Sequence, residues 1–201
     1  MNKITSSNAR LIFATALLSA ILLLRAMATP AQTNYTGSNV NLVVSGTSTL
    51  HNWDMKSENG ECKASFAFGG ATITALSAMN FSTAAVALKS DHTTMDDNAY
   101  KALKTGKNPA ISYVMTSAVV APGPGGTYTV TCQGKLSIAG ATRDQELVAT
   151  IKPNADNTLA VTGTRVISMK DFNMQPPTFM MGAIKTGNDI TLAFNLTLKR
   201  S

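Results

Sequence analysis

Apolar and polar residues alternate along most of this chain, in short runs broken by Gly, Asn, Asp, Ser and Pro. Val40, Leu42 and Val44 recur at every second position, as do Cys62, Ala64, Phe66 and Phe68. The same period holds for Ile111, Tyr113 and Met115, and again for Tyr128, Val130 and Cys132, which lead through Gly134 to Leu136 and Ile138. Leu147, Ala149 and Ile151 follow, then Leu159 and Val161, and finally Ile190, Leu192, Phe194, Leu196 and Leu198. Successive side chains of a strand point to opposite faces, so period two marks strands with one apolar face. The positions between are mostly Thr, Ser, Asn and Lys, which suit a pleated surface facing water. With the segments around Trp53 and Phe81, the pattern predicts eight or nine strands. Their short spacing favours antiparallel hairpins over βαβ units. Pro122-Gly123-Pro124-Gly125-Gly126 and Asn154-Ala155-Asp156-Asn157 read as turns.

Two segments break the alternation. Met95, Ala99 and Leu103 fall on one face of a helix, with Thr94 or Asp96 as its cap and Gly106 at its end. Pro109 then pushes Asn108 towards extended geometry. Residues 171–182 are rich in Phe and Met and contain Pro176-Pro177, which predicts a loop or a short helix. About eight strands with one apolar face each can close as a two-sheet sandwich or as a single barrel, and composition does not choose between them.

The first segment lies outside this pattern. Lys3 and Arg10 precede an apolar run over residues 11–24, and the small residues Ala26, Ala28 and Ala31 follow. That order is the order of a secretory signal peptide, with Ala31 preferred over Ala28 before the cut. Fourteen residues are too few to span about 30 Å of hydrocarbon as a helix. The expected organisation is a signal peptide over 1–31 and one domain over 32–201, in the periplasm or secreted. Cleavage would remove Lys3, Arg10 and Arg25 from the 17 basic residues, leaving 14 against 11 acids, so the net charge falls from +6 to +3. No basic patch interleaved with aromatics appears, so nucleic acid is not an expected partner. An oxidising compartment would allow a disulfide between Cys62 and Cys132, closing a loop of about 70 residues and adding roughly 4 kcal/mol. Two buried thiols are the other reading.

Catalytic and metal chemistry lack their usual supports. His51 and His92 are the only histidines, and with Cys62 and Cys132 they show no metal-ligand spacing. Their expected place is the surface of strands or loops. No Gly-x-Ser-x-Gly or phosphate-cradling glycine loop is present. Neither catalytic residues, a metal nor a cofactor is expected.

What stands out is apolar. Met169, Met174, Met180 and Met181 lie within thirteen residues, beside Phe172 and Phe179. Methionine lines adaptable binding surfaces. These six, with Trp53, Phe66, Phe68, Phe81, Met95, Leu103, Tyr113, Met115, Leu136, Ile138 and Phe194, are the candidate lining of an apolar site. Arg165 shares the register of Val161, Gly163, Ile167 and Met169. A buried guanidinium wants an anion, which makes Arg165 the candidate for a ligand head group. A bulge at Gly163 would instead turn it to solvent.

Several motifs carry a family resemblance. Ser45-Gly46-Thr47-Ser48-Thr49-Leu50-His51-Asn52-Trp53 resembles the opening of the YceI family, in the branch with a His-x-Trp element. The helix over residues 95–104 and Asn108-Pro109-Ala110-Ile111-Ser112-Tyr113 are similar to its helix and following strand. Gly134-Lys135-Leu136-Ser137-Ile138-Ala139-Gly140 resembles its central hairpin, although Ala139 stands where many members carry His. Asp171-Phe172-Asn173-Met174-Gln175-Pro176-Pro177 and Met181-Gly182-Ala183-Ile184-Lys185-Thr186-Gly187 resemble its C-terminal element. The resemblance implies an all-β, antiparallel, eight-stranded lipocalin-like barrel with one or two short helices near its mouth. It also implies periplasmic, non-catalytic binding of a polyisoprenoid, isoprenoid quinone or fatty-acid-like lipid as carrier or buffer. The expected partners are that long-chain lipid and, transiently, a membrane surface, for a monomer or homodimer. A structural or stress-related protein-interaction module with a filled barrel core is the alternative, and a lipid-directed hydrolase or isomerase a third reading.

Overall fold

The computed structural model describes residues 32–201, so the export signal expected over 1–31 lies outside the described residues. Eight long strands follow the alternation: β1 (Gln32–Ser48), β2 (Trp53–Gly69), β3 (Thr72–Ala84), β4 (Ala110–Pro122), β5 (Tyr128–Ile138), β6 (Ala141–Pro153), β7 (Leu159–Ser168) and β9 (Ile184–Arg200). The runs at Trp53 and at residues 62–68 are one strand, β2. A two-residue strand, β8 (Thr178–Phe179), pairs with the start of β9. Neighbours pair antiparallel in the order β1-β2-β3-β4-β5-β6-β7-β9, and β9 returns to β1, from Tyr35 opposite Arg200 to Ser48 opposite Thr186. That last ladder decides for the barrel against the sandwich. Closure gives every one of the eight strands a neighbour on both sides.

The wall has two seams. β3 and β4 pair only from Ala84 opposite Ala110 to Asn80 opposite Val114. β6 and β7 pair only from Pro153 opposite Leu159 to Ala149 opposite Gly163. Beyond those points the strands part.

One end of the barrel carries the tight hairpins at residues 69–72, 122–128 and 153–159. Tyr35 packs edge-on against Phe66 at 5.6 Å between centroids and near Phe68 at 6.3 Å. The Ile73 amide donates to the Tyr128 hydroxyl at 3.3 Å. Aromatic packing therefore closes this end. The other end carries helix α1 (Thr93–Leu103) and a segment with short 3-10 turns at Met169–Phe172 and Met180–Gly182.

The helix starts at His92 and stops at Lys104, whose φ of 55° and ψ of 43° are left-handed, so it ends two residues before Gly106. Neither Thr94 nor Asp96 caps it. Asp96, 6% exposed, instead accepts bonds from the Ser90 amide and hydroxyl, both at 2.7 Å. The Tyr100 hydroxyl lies 2.9 Å from the Leu88 carbonyl and 3.0 Å from that of Val86 and donates there. These bonds fasten α1 to the chain that enters it.

Two inward glycines let aromatic rings lie flat on the wall. A Cβ at Gly134 would stand 2.5 Å from Tyr113 Cζ and 2.6 Å from the Val114 carbonyl oxygen. A Cβ at Gly163 would stand 2.3 Å from Phe194 Cζ. The fully buried Tyr113 hydroxyl reaches the Cys132 and Gln145 carbonyls, at 3.2 and 3.1 Å. Gly134→Val displaces that ring and should cost about 1–3 kcal/mol in urea unfolding. An unchanged midpoint would show that the Tyr113 ring is not held by the missing side chain.

Candidate functional site

Inward positions at period two should meet across a barrel or leave a lumen. Here they leave one, a cavity of about 410 Å³, within the range of about 300–1,000 Å³ typical of ligand sites. Leu42, Val44, Leu76, Val130, Leu192 and Leu196 are among its wall residues. Leu147, Ala149, Leu192 and Phe194 point inward and are nonetheless only half-buried, because they face open space. The cavity comes to the surface between α1, the turn at residues 49–52 and residues 177–179. Met95, Ala99 and Leu103 turn the predicted helix face onto it.

The structure brings most of the candidate lining together. Trp53, Phe66 and Phe81 come from β2 and β3, Tyr113, Leu136 and Ile138 from β4 and β5, and Phe194 from β9. Met169, Met174 and Phe179 reach the same space from the segment after β7. The Trp53 indole donates to the Thr47 carbonyl at 3.0 Å, so its polar edge is satisfied at the rim.

Five candidates lie elsewhere. Phe68 belongs to the aromatic closure around Tyr35, past the end of the lumen. Met115 follows the point where the β3–β4 ladder stops, and it packs on the core from that seam. Phe172 is 0% exposed and packs in the core without lining the cavity, in a 3-10 turn that contacts β6, β7 and β9. Met180 and Met181 stand in solvent, at 76% and 109% exposure, because left-handed backbone at φ 49° and 55° turns them outward.

Arg165 also needs correction as a head-group ligand. β7 pairs with β9 without a break from Leu159 to Ser168, so no bulge forms at Gly163 and Arg165 keeps the inward register. The guanidinium is nevertheless absent from the cavity wall. It sits half-exposed where β6 and β7 have parted, its Nε donating to Gln145 Oε1 at 3.2 Å.

The two cysteines are free and buried, and both line the cavity. The disulfide reading is therefore corrected to two thiols. Their strands, β2 and β5, are separated by β3 and β4. Burial pushes the Cys62 thiol up to about 12, with Cys132 adding to the effect, and pushes Cys132 up to about 11.

Polar groups gather only at the mouth. His51 and His92 are exposed, as expected, yet both edge the cavity, together with Ser48, Thr94, Asn98 and Thr186. Nδ1 of His51 donates to the Asn52 carbonyl at 2.7 Å, which leaves Nε2 as an acceptor in the neutral ring. Sequence spacing could not place two histidines from different loops on one rim. Val40, Leu42 and Val44 line the cavity without having been candidates, and their inward register in the alternation is the signal that could have found them. Among the described residues, no three His, Cys, Asp or Glu side chains converge as a metal site.

An antiparallel barrel around an apolar lumen, open at one end, is the architecture of lipocalin-like ligand-enclosing proteins. The YceI-like domain family matches residues 32–198, and the chain belongs to it. Its fold is similar to that of Burkholderia cenocepacia BcnA, at 16% identity and a TM-score of 0.63 over 79% of this chain and 95% of that one. It is similar also to a polyisoprenoid binding domain from Saccharophagus degradans implicated in plant cell wall breakdown, at 9% identity and 0.62 over 85% and 100%. Campylobacter jejuni YceI protein matches at 18% identity and 0.53 over 71% and 84%. No curated protein matches the chain.

The thiols should be inert in the folded protein. At pH 8, iodoacetamide should label neither cysteine of the native chain and both of the 2 cysteines after denaturation. Rapid native labelling would contradict their burial. The Asp96 carboxyl is a second probe. Burial alone would raise its pKa, but the two Ser90 bonds and the Lys89 ammonium at 3.7 Å outweigh that and hold it below the ordinary 3.8. A depressed pKa contributes stability at neutral pH that is lost as pH falls through the native value. Stability should therefore drop more steeply below about pH 4 in the wild type than in Asp96→Asn. Equal acid sensitivity in urea titrations would show that Asp96 is not the group responsible.

Proposed function

We propose that this protein holds one long apolar lipid in its lumen, as a non-catalytic carrier or buffer acting after export to the periplasm. The observation that carries the reading is the continuous apolar wall around unfilled space. A polyisoprenoid, an isoprenoid quinone or a fatty-acid-like chain suits such a wall, since each buried CH₂ contributes about 0.8 kcal/mol against water. The structural likeness to a polyisoprenoid binding domain supports the same class of ligand.

The reference state matters for the mechanism. A membrane lipid is already out of water, so transfer into the barrel is close to neutral in free energy for its apolar part. Near-balance lets the cargo be taken up and given back, which suits a carrier better than a receptor. Polar side chains are confined to the rim, so the reading places the chain in the lumen and any polar end beside His51, His92 and Asn98. The protein-interaction alternative drew on a filled core, and the lumen weighs against it. Among the described residues, no nucleophile with a base and an orienting partner accompanies the lumen, so no catalytic step is assigned.

Native mass spectrometry after gentle purification should find a lipid of several hundred daltons bound to the wild type. Ala149→Phe puts a ring into the lumen and should lower uptake of an added polyisoprenyl lipid by about ten-fold or more while the barrel still folds. A wild type that stays lipid-free and takes up no added prenyl or acyl lipid would sink the proposal.

A further inference from the structure

The lumen opens beside apolar side chains that none of the described residues covers. Met180 and Met181 are the most exposed large apolar residues among the described ones, and Leu50 is 67% exposed. Met180, Met181 and Gly182 take φ values of 49°, 55° and 90° in succession. Two consecutive non-glycine residues in the left-handed region are strained, and with this backbone both thioethers stand in solvent. Phe179, one residue earlier, lines the cavity. Leu50 belongs to the same rim. The Thr49 amide donates to the Lys185 carbonyl at 3.0 Å, and the Lys185 amide donates to Thr49 Oγ1 at 3.2 Å.

Lysines lie on the segments that carry the mouth. Lys185 follows Met180 and Met181 in the chain, and Lys170 lies in the turn after β7. Lys101, Lys104 and Lys107 lie on the end of α1 and its exit, which Lys104 Nζ ties to the Asn173 carbonyl at 3.1 Å. None of these five is in an ion pair among the described residues. Asp91, Asp97, Asp171 and Asp189 are the exposed acids of the same segments, four against the five lysines, so the rim keeps a small cationic excess.

The geometry points to a docking rim for an anionic bilayer. Met180, Met181 and Leu50 enter the boundary between headgroups and acyl chains, and the lysines meet the headgroup phosphates. The open end of the lumen then faces the bilayer, and a lipid passes between them without crossing water. Three side chains are far short of the roughly 800 Å² per partner that a stable protein interface buries, which favours a bilayer over a second copy. The purpose of the rim rests on the lipid-holding reading above, but its contact with vesicles does not.

The test uses delipidated protein and Met180→Asn/Met181→Asn, since Asn tolerates left-handed backbone and equal melting temperatures check the fold. The wild type should co-float with phosphatidylethanolamine–phosphatidylglycerol vesicles and less with phosphatidylcholine alone. The double variant should lose about ten-fold or more in vesicle binding, as expected when two Met side chains no longer bury. It should also extract a fluorescent polyisoprenyl probe from those vesicles correspondingly slowly, yet take the same probe from detergent micelles like the wild type. Flotation of both proteins alike, or of neither, overturns the rim. So does a concentration-dependent dimer that the variant lacks, which would give the tips to a second copy. Wild-type flotation without probe uptake from micelles would sustain the rim while ending the lipid-holding reading.

Discussion

The ladder between β9 and β1 is the interaction on which everything else depends. Once β9 pairs back onto β1, the eight long strands find their partners within one ring. A ring satisfies backbone groups around its circumference, so it does not need a solid interior to satisfy them. A sandwich of the same strands would have pressed its two apolar faces together. Closure instead holds the inward side chains apart, and the lumen is what remains between them.

Such a wall has to be shaped as well as closed. Eight inward faces cannot all carry large side chains, and the aromatics that line this lumen lie over glycines. Tyr113 covers Gly134 and Phe194 covers Gly163. In both places the missing side chain gives the ring room to lie along the wall instead of across the space. The same economy appears at the seam between β6 and β7. The ladder stops at Ala149 and Gly163, Arg165 fills the opening through Gln145, and the turn holding Phe172 covers it. A polar group at inward register thus becomes part of the wall's exterior.

The two ends of the barrel differ because their connections differ. Short hairpins at one end bring Tyr35, Phe66 and Phe68 into contact and close it. The other end has short turns too, between β1 and β2 and between β5 and β6, but its longer connections carry α1 and the turns after β7, which narrow the opening without sealing it. Charge and polarity follow the same division. The lumen is apolar throughout, while His51, His92 and Asn98 are held at its edge. An amphiphile with one greasy chain and one polar end matches that division better than a ligand that is polar throughout.

The strands were legible in the sequence because period two reports directly which face of a strand is apolar. From that period came the inward register of Val40, Leu42, Tyr113, Leu136 and Phe194, and a period near 3.6 placed Met95, Ala99 and Leu103 on one helix face. The segment after β7 was harder, since its chemistry is uniform and its geometry is not. Met174 and Met181 look alike in sequence, yet one lines the lumen and the other stands in solvent, separated by backbone dihedrals that no local composition specifies. Arg165 kept the register of its neighbours, but where its side chain could go depended on the β6–β7 ladder, which ends two residues earlier at Gly163. Cys62 and Cys132 both face the lumen as free thiols, and period two alone could give their facing but not whether they are joined. Local alternation therefore determined what each strand would bury. Closure, seams and the fate of each side chain at the mouth were set by pairings between residues far apart in the chain.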